Sequence, residues 1–361
     1  MCLILSVCNT AVKLGRQCAI DRSTLIGASH QVTARMSQSQ PLVSIVTPVF
    51  NGAKYLAECI ESVLEQSYDH WDYTIVDNCS TDDTLKIAEQ YQKTERRIRL
   101  VRNDHFVSAI ENHNVAFRQI SAESKYCKLL SADDWLYRDC LAYMVDLAER
   151  NPDVGVVQSY VINDNGVRWT GLPVNVSVLD GFAAGRLYLL GRVEFAGIPS
   201  SNLYRSDLVR SWDPFFPGTD PSADAAACLR CLRQSSFGVV HQILSFERIH
   251  DEAITAKVRR LDSYLLDRFE LLLRYGPHFL TRCELQDRRE EMLRNYYAVM
   301  AAALVNMKDS GYWDYHKKRL ASLGLPLYGT RLGKALLAKV LDLFLNPKNT
   351  IEKVFRRSHE N

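Results

Sequence analysis

The chain has 361 residues, 47% of them hydrophobic and 24% charged, enough for one large or two modest domains with a sizeable core. Basic and acidic residues number 44 and 42, a net charge of +2, which excludes the concentrated basic face of a dedicated nucleic-acid binder. The 10 cysteines are scattered, several in apolar segments, which suits a reducing cytoplasm better than a disulfide scaffold, and no apolar run reaches the roughly 20 residues that span a bilayer.

Residues 1–40 show no sustained hydrophobic period and are rich in Ser, Thr, Gln and Arg; they are expected to form a disordered tail, with Met36 a candidate true start. The apolar opening Met1 to Cys8 is short and has no positive n-region, unlike a signal peptide. Val43 to Phe50 reads as a buried strand closed by the turn Asn51-Gly52, with Pro48 expected at the strand end because it cannot donate to a central ladder. A helix follows with Leu56, Ile60, Val63 and Leu64 on one face. Tyr73 to Asp77 is a second strand, Ser80-Thr81-Asp82-Asp83 reads as a capping box opening a second helix, and Ile98 to Val101 is a third strand. After a helix through Ile110, Val115 and Phe117, the run Lys128-Leu129-Leu130-Ser131-Ala132-Asp133-Asp134-Trp135 is a strand ending in two carboxylates. This alternation predicts a parallel sheet with right-handed crossovers. A helix over 139–150 and a strand over 154–158 continue it, residues 163–222 read as loops, 223–233 as a helix and 237–243 as a strand. From about Leu261 the pattern is helical, with Gly276 expected as a C-cap. Cys228 and Cys231 form a lone CxxC in a helical stretch, a poor candidate for zinc.

Asp77, Asp133 and Asp134 all fall at strand ends, and in an open α/β sheet those ends line the ligand cleft. Hard carboxylate oxygens there suit Mg2+ or Mn2+ bridging to a diphosphate; the bland alternative is a solvated turn with an acidic helix cap.

Val43 to Asn51, Tyr73 to Asp82 and Ser131-Ala132-Asp133-Asp134 together resemble the family 2 glycosyltransferases of the GT-A fold, over about residues 42–160 and recognisably to about 256. The resemblance implies an α/β fold with a Rossmann-like, mixed but mainly parallel sheet over 41–256 and a C-terminal helical region over 257–361. It implies metal-dependent transfer, with inversion, of one sugar from a nucleotide-diphosphate sugar to a hydroxyl of a saccharide or lipid-linked acceptor. Asp77 would then hydrogen-bond the base, Asp133 hold the ribose side, Asp134 bind Mg2+ or Mn2+, and Thr47, Pro48, Phe50 and Asn51 line the nucleotide. Asp224 matches the general base that takes the acceptor proton, with Asp220 a rival; Arg248 would face the diphosphate and His250 the metal. Gly197-Ile198-Pro199-Ser200-Ser201 matches a loop near the acceptor.

Ala223 stands where relatives more often carry Glu, and Ser131 where many carry Asp. The Gln-x-x-Arg-Trp segment of processive synthases is missing, which implies one sugar per encounter. A sugar-nucleotide nucleotidyltransferase would need a Gly-rich loop where Pro48-Val49-Phe50-Asn51 stands; a non-catalytic nucleotide-sugar-binding protein on the same fold is the other alternative. Finally, 331–357 forms a basic amphipathic pattern that suits either peripheral contact with the cytoplasmic face of a membrane or packing of its leucine face on the protein.

Overall fold

The computed structural model describes residues 40–168, 172–195, 198–218, 222–250 and 260–345. From Leu42 onward they belong to one unit. The strands, in chain order, are β1 (Val43–Val49), β2 (Trp71–Asp77), β3 (Ile98–Arg102), β4 (Tyr126–Leu129), β5 (Trp135–Leu136), β6 (Val154–Asn163), β7 (Gly166–Arg168), β8 (Val178–Leu179), β9 (Asn202–Arg205) and β10 (Ser236–Phe246). They form one sheet in the order β3-β2-β1-β4-β9-β6-β10-β5, with β7 on β6 and β8 on β10. The ladders β3-β2-β1-β4 and β6-β10 are parallel. β9 runs antiparallel to both β4 and β6, so the sheet is mixed but mainly parallel, as expected.

β1 is buried along its whole length, and its alternate residues serve opposite faces. Val43, Ile45 and Val49 join one core, against the helices α1 (Leu56–Leu64), α2 (Thr84–Thr94) and α4 (Cys140–Arg150). Val46 joins the other, against α3 (Ala109–Phe117), α5 (Gly181–Leu189), α6 (Ser206–Arg210) and α7 (Ala223–Cys231). The C-terminal helices α8 (Tyr264–Phe279), α9 (Arg282–Val305), α10 (Ser310–Ser322) and α11 (Thr330–Leu345) build a third core around Met300, Tyr312 and Leu320.

Several local expectations change. Pro48 lies one residue inside β1, opposite Val76; the ladder to β4 has already ended at Val46, so its missing N–H costs that strand nothing. Ser80 to Asp83 form no capping box, since α2 opens after Asp83 without a side-chain cap. Ser80, Asp82 and the first helical residue, Thr84, instead receive the turn after β1: Asn51 N–H donates to Ser80 Oγ (2.9 Å), Gly52 N–H to Thr84 Oγ1 (2.8 Å) and Ala53 N–H to Asp82 Oδ2 (3.1 Å). Gly52 is needed there, because a Cβ would lie 2.6 Å from Val49 Cγ2. The 163–222 region holds α5, α6 and β9, although it reads as loop. Gly276 does not end α8; the helix continues through Pro277, and Gly276 lets α9 approach, a Cβ there falling 2.6 Å from Leu285 Cδ1.

Leu332 of α11 is buried and Leu336 packs beside it, so part of the leucine face is used internally, whereas Leu337, Leu341 and Leu345 remain exposed. No described helix is long and apolar enough to cross a membrane. The 1–39 tail, Gly197, Asp220 and residues 346–361 lie outside the described residues.

Candidate active site

β4 is short, and the chain leaves it through a turn rather than carrying the strand on to the carboxylates. Leu130 N–H still bonds to Val46 O (3.0 Å), then Asp134 N–H folds back to Ser131 O (3.1 Å). This turn aims the two adjacent carboxylates differently. Asp134 is 4% exposed; its Oδ2 accepts from Ser200 Oγ (2.6 Å) and its Oδ1 from the Arg248 N–H (3.0 Å). Burial pushes its pKa well above the usual carboxylate range, and the charge of Asp133 adds to that. Lys128, fully buried in β4, has its pKa pushed down by burial, partly opposed by Asp134. Asp133 faces outward, its side chain 32% exposed, with Oδ2 2.9 Å from His250 Nε2. Asp134, expected at the metal, thus has both oxygens engaged inside the protein, whereas Asp133 presents its carboxylate outward.

The segment after β10 closes over this turn. Arg248 Nε donates to Asp133 O (3.1 Å), and its Nη2 pairs with Glu58 Oε2 (2.5 Å). The guanidinium lies 4.4 Å from the Tyr55 ring centre and 5.1 Å from Trp135, which stacks on Phe246 at 3.7 Å. Arg248, expected at the diphosphate, is engaged beneath the turn by these contacts. Tyr55 also flanks His250, ring centres 5.5 Å apart.

At the other end of the site Phe50 and Phe106 stand 47% and 60% exposed with their rings edge to face at 4.9 Å. Phe106 gave no signal in the sequence, lying in an irregular stretch between β3 and α3. Asp77, 1% exposed, ends β2, accepts the Ser80 N–H and lies 3.8 Å from Arg102 Nε. Asn51 takes a left-handed conformation (φ 50°) and accepts from Thr81 N–H at 2.8 Å. Thr47 and Pro48 are buried; the Thr47 hydroxyl accepts from Tyr73 OH (2.9 Å) and faces the core, not a cleft.

Pro199–Ser201 form a 3-10 turn leading into β9, which brings Ser200 under the carboxylates while Ser201 accepts from Gln158 Nε2 (3.3 Å). Ser200 Oγ also accepts the Ser131 N–H (3.1 Å). Ser200→Ala should therefore leave a buried carboxylate and a backbone N–H each short of a partner. A loss of about 2 kcal/mol in urea unfolding at neutral pH is expected, with little change in secondary structure. Asp224, 8% exposed, sits in the first turn of α7, where Ala225 N–H donates to Oδ1 (2.6 Å). Burial pushes its pKa up to about 7. His113, which carried no signal in the sequence, stacks on Phe216 with ring centres 5.8 Å apart; burial lowers its pKa, opposed by its bond to Ala109 O and then by Asp133.

A mainly parallel sheet with carboxylates at its strand ends, interrupted between β4 and β6 by the reversed strand β9, is the architecture of the nucleotide-diphospho-sugar transferases. Two solved structures share the fold at 16% identity each. One is Staphylococcus aureus TarS 1-349 in complex with UDP-GlcNAc (TM-score 0.59, covering 88% of this chain and 92% of that one). The other is the mannosyltransferase PcManGT of Pyrobaculum calidifontis in complex with GDP-Man and Mn2+ (TM-score 0.52, covering 88% and 93%). Residues 44–212 match the family model described as Glycosyl transferase family 2. The poly(ribitol-phosphate) beta-N-acetylglucosaminyltransferase TarS of S. aureus strain MW2 is 28% identical over 194 residues, 50% of this chain and 30% of that one. The chain spans less than half the length of the curated relatives it matches.

Among the described residues no group of three or more His, Cys, Asp or Glu side chains converges as a metal cage. Asp133 with His250 offers one hard oxygen and one imidazole nitrogen, which fits an ion that takes its remaining ligands from water and substrate phosphates.

Proposed function

We propose that the chain is an inverting, non-processive glycosyltransferase that moves one sugar from a nucleotide-diphosphate sugar to a hydroxyl of a saccharide or lipid-linked acceptor. Residues 41–256 form its catalytic part and 257–361 a helical region. The observation that carries this reading is the outward-facing Asp133–His250 pair, 2.9 Å apart beyond the end of β4 in a family 2 domain. The base lies against Phe50 and Phe106 with Asp77 and Asn51 behind it, and Asp133 serves the ribose side and the ion. Mg2+ or Mn2+, when bound, neutralises the charge that develops on the diphosphate leaving group. Asp134 and Arg248 hold the Asp133 turn in place. Asp224, its pKa matched to neutral pH by burial, takes the proton of the attacking hydroxyl, and Pro199, Ser200 and Ser201 border the acceptor side. With a lipid-linked acceptor, membrane contact would use the exposed row Leu337, Leu341 and Leu345.

The test is a screen of nucleotide sugars by thermal shift, with and without Mn2+. At least one should raise the melting temperature, more strongly with the ion; no shift from any of them would refute the reading. For the donor found, Phe50→Ala and Phe106→Ala should each raise KM by about tenfold, since an aromatic contact to a base contributes roughly 1–3 kcal/mol. An unchanged KM in both would move the base elsewhere.

A further inference from the structure

A cavity of about 630 Å3 opens between the 212–218 loop, the C-terminal end of α7 and the last turns of α8. Its lining includes Arg230, Arg233, Arg274 and His278, and no carboxylate among the described residues. None of the three arginines enters an ion pair among the described residues, whereas Arg118, Arg186, Arg205 and Arg248 each do. Arg230 is held firmly, its Nη1 bonded to Pro214 O and Phe215 O (3.2 Å each) and its guanidinium 3.9 Å from the Trp212 ring centre. The Trp212 indole N–H is buried and has no hydrogen-bond partner among the described residues.

Helix macrodipoles draw basic residues to C-terminal ends, and α7 and α8 both end here. That accounts for a cation at each end, but not for three sharing one cavity. Burial lowers the pKa of Arg230; Tyr275 and Cys231 oppose this, and Arg274 and Arg233 add smaller contributions in the same direction as burial. Such a cluster is stabilised when an anion enters it, and guanidinium forks match the oxygens of a phosphoryl group. Arg230 follows Asp224 by six residues on α7, roughly 9 Å along the helix axis. A polymer whose hydroxyl reaches Asp224 can therefore lay a neighbouring group near this cavity.

We propose that the cavity beside Arg230, Arg233 and Arg274 binds a phosphoryl group, as monoester or phosphodiester, carried by the acceptor. The assignment to the acceptor rests on the glycosyl-transfer reading; the anion site itself does not. The test uses the full chain, without donor and in EDTA, and follows tryptophan fluorescence. Inorganic phosphate, glycerophosphoglycerol as the diester and glucuronate as a carboxylate are titrated in turn. A saturable change with phosphate or the diester is expected, absent in Trp212→Phe, and weakened about tenfold or more in the Arg233→Gln/Arg274→Gln variant. A response to the diester but not to free phosphate would assign the site to the polymer backbone; a response to free phosphate alone would overturn the acceptor assignment. The double variant should melt no lower than the unaltered chain without phosphate, as like charges have been removed, and phosphate should raise only the unaltered chain's melting temperature. A flat titration, equal binding by the double variant, or a response to glucuronate alone overturns the proposal. If phosphate binds here while no nucleotide sugar is recognised, the anion site stands and the glycosyl-transfer reading falls.

Discussion

Asp224→Asn should lower the transfer rate by roughly 10²- to 10⁴-fold with donor KM close to that of the unaltered chain, as befits a lost general base. The side chain keeps its shape and its Oδ1 acceptor for the Ala225 N–H, so α7 should open as before. The pH dependence gives a second readout. The base works only when deprotonated, so kcat/KM of the unaltered enzyme should rise through pH about 7 and level off above it. Stability runs the other way. A carboxyl whose folded pKa is raised stabilises fully only below its unfolded pKa, and that contribution fades as pH climbs towards the folded value. The Asn variant escapes this, so its melting temperature should exceed that of the unaltered chain increasingly between about pH 4 and pH 8, and match it in acid. An Asn variant that transfers sugar at the original rate would leave Asp224 as no more than an N-terminal helix residue.

The adjacent carboxylates should separate cleanly under substitution. Asp133→Ala is expected to abolish Mn2+-dependent donor binding, with a loss in metal affinity of roughly 100-fold or more, because even residues outside the ligand sphere cost 10- to 100-fold. The fold should be unaffected, since this side chain is partly exposed and faces His250. Asp134→Ala should chiefly lower stability, because it leaves the Arg248 N–H without its acceptor, worth roughly 1–3 kcal/mol when buried, and the Ser200 hydroxyl with only the longer bond to Ser131 Oγ (3.3 Å). Thermal shifts with and without donor and Mn2+ separate the two. A stable Asp134→Ala protein that has lost only its metal response would return the ion to Asp134.

β1, β2 and the run into β4 were legible because they are buried on both faces and read as near-continuous apolar stretches. β9 was not, because Asn202-Leu203-Tyr204-Arg205 is four residues long and mixes polar with apolar positions. α5 hid behind Gly181 and Gly185, both poor helix formers, yet Gly185 lies against the Phe279 ring where no side chain would fit. Gly276-Pro277 looks like a helix end, but tertiary packing against α9 carries the helix through it. Carboxylates at 133 and 134 could be found, but not their division of labour. Once β4 stops at Leu129 the two-residue period no longer holds, and the turn alone decides which side chain faces out. The pairing of Arg248 with Glu58 was not legible for a related reason: the two lie 190 positions apart in sequence.

The reversed strand β9 acts as a spacer. Strands in a sheet lie about 4.8 Å apart, so inserting one between β4 and β6 sets the next parallel strand roughly 9.6 Å from the strand that presents Asp133. A hydrogen-bonded ladder does not stretch, so this interval is a fixed gauge across the cleft. The 3-10 turn that leads into β9 places Ser200 and Ser201 at the end of this gap. Loop replacement on either side of β9 can therefore reshape the rim of the sheet while this interval stays the same.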